Sequence, residues 1–199
     1  MELHAVTDGK KPIEKLAEII LSVSDIVDYI HIREKNKTAR DIVYLVELLL
    51  EKGVRKRKLV INDRLDVALI TGIENVHLPI SGLPVNKVKS RFPNMRVGVS
   101  VHSLEEAFIA KEAGADYCFF GNVFETNSKK GLPGKGVVLL EDIVQEMTVP
   151  VIAIGGITLD NMEKVLETNV KGIAVMSYIF SSIDPARDAK LLKSKMLGE

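Results

Sequence analysis

Polar side chains gather where short β-rich runs give way to loops: Asp8, Arg33, Lys35, Asn62, Asp63, Arg64, Ser100, His102, Asn122, Glu125 and Thr126. Carboxylates and imidazoles at such places can take and return protons, and guanidinium or ammonium groups can hold anions. His31, Arg33 and Lys35 are spaced by two, so in an extended strand they share one face. If that face looks inward, it offers a stack of cationic groups to an anionic ligand. The plain alternative makes His31 a satisfied core histidine and pairs Arg33 with Asp8 or Asp63.

A second signal is glycine. Ile154-Gly155-Gly156-Ile157-Thr158 and Ala174-Val175-Met176-Ser177 each close an apolar run, and unpaired backbone N–H groups at such turns suit a phosphate. A glycine pair can equally be a simple turn. The stretch from Asn122 to Gly136 is long, basic and glycine-rich; it reads as a lid over a site or as a solvated excursion.

The elements that must position these groups follow from periodicity. Eight strand-like runs recur: Leu3 to Thr7, Tyr29 to Arg33, Leu59 to Asn62, Asn75 to Leu78, Val97 to Val101, Tyr117 to Gly121, Val149 to Gly156 and Gly172 to Ser177. Amphipathic segments of helical period separate most of them, such as Ile13, Leu16, Ala17 and Ile20. Thr38 to Glu51 is long and well patterned, Asp66 to Ile70 is barely a turn or two, and Ile183 to Leu197 reads as a closing helix with Asp184 as N-cap and Pro185 first. Strands alternating with helices run parallel and are covered by them. Eight units predict an α/β fold, a closed (β/α)8 TIM barrel in one domain over residues 1–199, with an open doubly wound sheet as the rival. In a barrel, active groups sit at the C-terminal strand ends, and the loops after strands seven and eight commonly hold phosphate.

The totals narrow the class. The chain has 199 residues, short for a barrel of roughly 250, and 46% hydrophobic content. Lys plus Arg and Asp plus Glu are both 27, so no global field attracts nucleic acid, and the run Arg55-Lys56-Arg57-Lys58 is a solvated approach to the third strand. One cysteine, Cys118, excludes an internal disulfide framework and reads as buried and inert. No apolar run nears the roughly 18 residues of a membrane span, and the start Met1-Glu2-Leu3-His4 lacks the build of a secretory signal. A cytoplasmic protein with no nucleic-acid and no membrane partner is expected, with a homodimer left open.

Several segments together resemble the thiamin phosphate synthase/TenI superfamily over almost the full chain. They are Ala5-Val6-Thr7-Asp8, His31-Ile32-Arg33-Glu34-Lys35, Ile61-Asn62-Asp63-Arg64-Leu65-Asp66-Val67-Ala68, Gly98-Val99-Ser100-Val101-His102-Ser103-Leu104-Glu105-Glu106-Ala107, Ile152 to Thr158 and Gly172 to Ser177. The resemblance implies a barrel, thiamin biosynthesis and a thiazole phosphate bound near the ends of strands seven and eight. Its synthase branch joins a pyrimidine pyrophosphate to thiazole phosphate with Mg²⁺, held by the Asp of Asn-Asp-Arg, here Asp63, and by a second Asp where this chain has Gly82. Mg²⁺ favours carboxylate ligands, so the loss argues against the synthase. His31 to Lys35 and Gly121 to Lys129 look like the TenI branch, which is associated with a cofactor-free thiazole tautomerase. That branch places its catalytic histidine where this chain has Asn122, and an amide cannot accept and return a proton near neutral pH.

Three readings stay open: His102, Glu125 or Glu34 moves the proton, binding alone gives slow isomerisation, or the chain binds without catalysis. The leading expectation is a tautomerase-like isomerase acting on a small phosphorylated thiazole, with no cofactor and no metal. Thiamin phosphate synthase is its alternative, and a non-catalytic thiazole phosphate-binding regulatory protein the further one. The catalytic candidates are His102, Asn122 and Glu125, although His102 could merely cap the following helix. Substrate contacts are expected from His31, Arg33, Lys35, Asn62, Ser100, Thr126, Ser128 and Lys129, and phosphate contacts from Gly155, Gly156, Met176 and Ser177.

Overall fold

The computed structural model describes residues 1–129 and 131–198, and of Lys129 the backbone alone. Strands and helices alternate: β1 (Glu2–Val6), α1 (Ile13–Val23), β2 (Tyr29–Ile32), α2 (Ala39–Glu51), β3 (Leu59–Asn62), α3 (Leu65–Thr71), β4 (Asn75–Pro79), α4 (Val85–Arg91), β5 (Arg96–Val101), α5 (Leu104–Glu112), β6 (Tyr117–Gly121), α6 (Gly136–Glu146), β7 (Val151–Ile154), α7 (Met162–Leu166), β8 (Gly172–Val175), α8 (Ser177–Phe180) and α9 (Pro185–Leu197). All eight strands pair in parallel with their sequence neighbours. β1 pairs with β8 through Glu2↔Gly172 to Ala5↔Val175, which closes the ring. The expected (β/α)8 barrel is therefore the fold, and the open sheet is excluded.

Local chemistry explains the element ends. Thr38 accepts from the Asp41 N–H while the Asp41 carboxylate accepts from the Thr38 N–H, a reciprocal cap that starts α2. Asp184 accepts from the Arg187 N–H, and Pro185 fills the first position of α9, where its missing N–H costs nothing. β7 is shorter than its apolar run because Gly155 and Gly156 adopt φ of 103° and 68°, which an extended strand cannot contain. Ser177 does not end β8 as its sequence suggests; it opens the single turn α8.

The pleat sorts side chains into two cores. Ile30 and Ile32 of β2 face the helical layer, with Leu3, Ile61, Val76 and Phe120. The barrel interior holds Val6, Tyr117, Phe119, Ile152 and Ala174, and with them the fully or nearly fully buried His4, His31 and His77. Phe119 lies 4.4 to 5.3 Å, centroid to centroid, from all three imidazoles, which makes this interior a packed aromatic and polar plug rather than a pore. No helix among the described residues is long and apolar enough to cross a membrane.

Candidate active site

At the C-terminal end of the barrel the plug stops, leaving a cavity of about 660 Å³. Most expected site residues meet there: Arg33, Lys35, Asn62, Ser100, His102, Asn122, Thr126, Ser128, Gly155, Gly156, Met176 and Ser177 all line it. They converge because parallel strands end on one rim, however distant they are in sequence.

Two candidates do not line it. His31 is wholly buried beneath the cavity, with Nδ1 3.2 Å from Asn62 Oδ1 and Nε2 3.0 Å from His4 Nδ1. Burial and the neighbouring His4 and His77 hold it well below the usual imidazole range. The expected cationic stack therefore loses its lowest member, and the core-histidine alternative describes His31. Glu125 points to solvent and is absent from the lining; its carbonyl, not its carboxylate, packs on Gly156. The side chain of Lys129 lies outside the described residues.

The loop from Asn122 explains the glycine pair. Val123 N–H donates to Ile154 O and Phe124 N–H to Gly155 O, each at 3.0 Å, while Lys135 and Gly136 N–H donate to Asn122 O and Val123 O at 2.9 Å. The loop thus leaves the barrel and returns against its own start. A Cβ on Gly155 would press on Asn122, and one on Gly156 on Phe124 and Glu125. The turn is buttressed by Asn161, which accepts from Thr158 N–H and donates to Gly156 O, both at 2.8 Å. Among the described residues the N–H groups of Gly155, Gly156 and Ser177 have no backbone acceptor, so they stand available to an anion. Asn122 is 4% exposed and donates to Phe124 O at 3.1 Å and Pro133 O at 3.4 Å; its amide braces the loop.

The other candidates have local duties. The His102 backbone N–H and Nδ1 lie 2.6 and 3.1 Å from Glu106 Oε2, which ties the imidazole to the first turn of α5. Ser100 Oγ meets His77 Nε2 at 2.8 Å, and burial pushes His77 down to about 3, so the ring is a neutral partner. Arg33 has no ion pair to Asp8 or Asp63; Asp8 takes Lys11 instead, at 3.4 Å. The Arg33 side chain lines the cavity. Cys118 is buried as expected, its thiol pushed up to about 12 by burial.

Nothing in the strand pattern singles out Lys37, and Glu34 stands there only as one alternative proton carrier. Lys37 Nζ reaches Glu34 Oε2 at 2.6 Å and Lys11 O at 2.7 Å, and both side chains line the cavity. The signal was their spacing of three in the loop after β2, where a tight turn brings i and i+3 together.

The residues present do not fit a protein-held Mg²⁺ ion. Asp63, at φ 58°, is one exposed carboxylate on the rim, and both Asp66 oxygens are taken by Arg64 at 2.9 and 2.6 Å. A Cβ at Gly82 would stand 3.0 Å from the Pro79 ring, so the turn after β4 is built around glycine. Among the described residues no group of three or more His, Cys, Asp or Glu could hold a metal.

Comparison with known proteins adds a family. A model described as thiamine monophosphate synthase (TMP-TENI) matches residues 3–179. The thiamine-phosphate synthase of Chlorobium phaeovibrioides is 38% identical over 170 residues, covering 84% of this chain and 81% of that protein. That of Pyrococcus horikoshii is 35% identical over 202 residues, covering 97% and 93%. The solved thiamine phosphate pyrophosphorylase of Pyrococcus furiosus superposes with a TM-score of 0.84 at 33% identity, covering 99% of this chain and 96% of that one. These relatives correct the expectation of a tautomerase-like isomerase: the likeness that spans the chain is to proteins named synthase, and the TenI-like segments at 31–35 and 121–129 do not outweigh it.

Proposed function

The chain belongs to the thiamine monophosphate synthase family, and from that premise we propose that it is a transferase joining a pyrimidine pyrophosphate to a thiazole phosphate with release of pyrophosphate. The observation that carries the reading is one cavity lined in one part by backbone N–H groups without backbone acceptors and in another by cationic side chains. One part is the glycine turn after β7 with Ser177 after β8; the other, across β1, is Arg33 and Lys35 after β2.

In this reading Gly155, Gly156 and Ser177 hold the thiazole phosphate, with Met176 against the ring. Arg33 and Lys35 take the pyrophosphate, where a guanidinium can bind two oxygens at once. Thr126 and Ser128 close the rim from the loop. Asn62, Ser100 and His102 line the space between, where a pyrimidine would sit. Holding both reactants in one geometry is the main catalytic contribution asked of such a site.

The test supplies both substrates with Mg²⁺ and follows the coupled product and pyrophosphate by chromatography. Product in amounts proportional to enzyme supports the transferase; none at saturating substrates removes it. A second reading, a thiazole phosphate-binding regulatory protein, is favoured by Gly82 and by the tie between Asp66 and Arg64. Its outcome would be calorimetric binding of thiazole phosphate without product.

A further inference from the structure

Beneath the cavity, four side chains from β1, β2 and β3 form a line through the barrel. Glu2 Oε2 lies 3.1 Å from His4 Nε2, His4 Nδ1 lies 3.0 Å from His31 Nε2, and His31 Nδ1 lies 3.2 Å from the Asn62 carboxamide. His4 and His31 are fully buried, whereas Glu2 reaches the open N-terminal end of the ring. Asn62 lines the cavity. The line thus connects one end of the barrel to the ligand space at the other.

Donor counting gives the line a direction. Glu2 is held as an anion by its hydrogen bond to His4, with His4, Arg96 and Lys171 nearby, and an ionised carboxylate only accepts. His4 therefore donates from Nε2. Burial disfavours the charged form of His4, and a neutral imidazole carries one proton, so His4 Nδ1 accepts and His31 Nε2 must donate. His31 Nδ1 is then bare and can only accept.

An Asn62 oxygen facing it would set two acceptors 3.2 Å apart unless His31 carried a second proton. That imidazolium would be buried against His4 and His77 and near Arg96, all of which disfavour it. Exchanging the oxygen and nitrogen of a carboxamide changes its shape little, so rotation of Asn62 is the cheaper solution.

We propose that the Glu2–His4–His31 chain fixes Asn62 with Nδ2 donating to His31 and Oδ1 facing the cavity, so that Asn62 accepts a hydrogen bond from a ligand N–H or O–H. Glu2, His4 and His31 are positioning residues, and Asn62 is the group that reads the ligand. The proposal rests on the cavity being the substrate site, and it specifies the bound heterocycle: one with a donor, such as an amino-substituted pyrimidine.

The experiment has two arms. Proton–nitrogen correlation spectra of the ring nitrogens should show His4 and His31 neutral and protonated on Nε2 near neutral pH. Protonation of either ring on Nδ1 alone, or of either ring on both nitrogens, would overturn the proposal. In Glu2→Lys the terminal group becomes a donor and the polarity should reverse, with both rings protonated on Nδ1, while Glu2→Gln, whose amide oxygen still accepts, should keep the native pattern.

The second arm compares an aminopyrimidine pyrophosphate with its analogue lacking the amino group. The native chain and Glu2→Gln should prefer the amino compound by about tenfold, the worth of one hydrogen bond, and Glu2→Lys should lose that preference. Unchanged preference beside reversed tautomers would refute the role of Asn62 as reader. Failure of both pyrimidines to bind the native chain would instead strike the transferase reading, since the ring spectra need no ligand.

Discussion

Acidification is the sharpest test of the buried imidazoles. His77 is 2% exposed, and burial pushes it from 6.5 to about 3 in the folded chain. A depressed folded value means that the unfolded chain takes up a proton first as the pH falls. The stabilisation is therefore whole above about pH 6.5 and is lost progressively down to about pH 3. Between about pH 7 and pH 4.5, this ring alone removes about 2.5 kcal/mol, at 1.36 kcal/mol for each pH unit of unbalanced protonation. His31 is shifted in the same direction and adds to the loss. Against a total stability of about 5–15 kcal/mol this is a large share.

Urea unfolding at the two pH values, with the slope on denaturant checked for constancy, measures the difference. His77→Gln keeps a hydrogen-bonding partner for Ser100 but cannot titrate. Its loss over the same interval should be smaller than the native loss by about 2.5 kcal/mol. Equal losses in native and variant chains would mean that His77 is already charged or solvated in the fold, and the neutral plug would be wrong.

Gly155→Ala forces a side chain onto Asn122 at a φ of 103°; it should cost about 2 kcal/mol or more and weaken thiazole phosphate binding, both readable by calorimetry. Among the described residues Arg33 makes no ion pair, so Arg33→Ala should change the unfolding free energy by no more than about 0.5 kcal/mol. Its affinity for a pyrimidine pyrophosphate should fall at least about tenfold, as measured by titration. Asp184→Ala removes the cap of α9 and should lower stability by about 1 kcal/mol with no change in transfer rate.

Much of the barrel was legible because its rules are local. Residues two apart share a face of a strand, so the eight runs and their polar ends could be read one by one. The same holds for Asp184 and Pro185, whose partners lie within a turn. Function was legible only as far as the family, since His31 to Lys35 and Gly121 to Lys129 pointed to an isomerase branch that the likeness over the whole chain does not support. Glu125 shows a further limit: it is near Gly156 through its backbone, and sequence proximity to a site does not say which way a side chain turns.

By itself the sequence determined the alternation of strand and helix, the glycine turn after the seventh run and the set of polar strand ends. Tertiary structure alone decided that β1 meets β8 and that His4, His31 and Asn62 fall into line across three strands. It also decided that Lys37 neutralises Glu34 inside the cavity mouth. The reason is physical: strand periodicity states which residues share a face, whereas the stagger between paired strands sets which of them stand at the same height. That stagger emerges only when the ring closes.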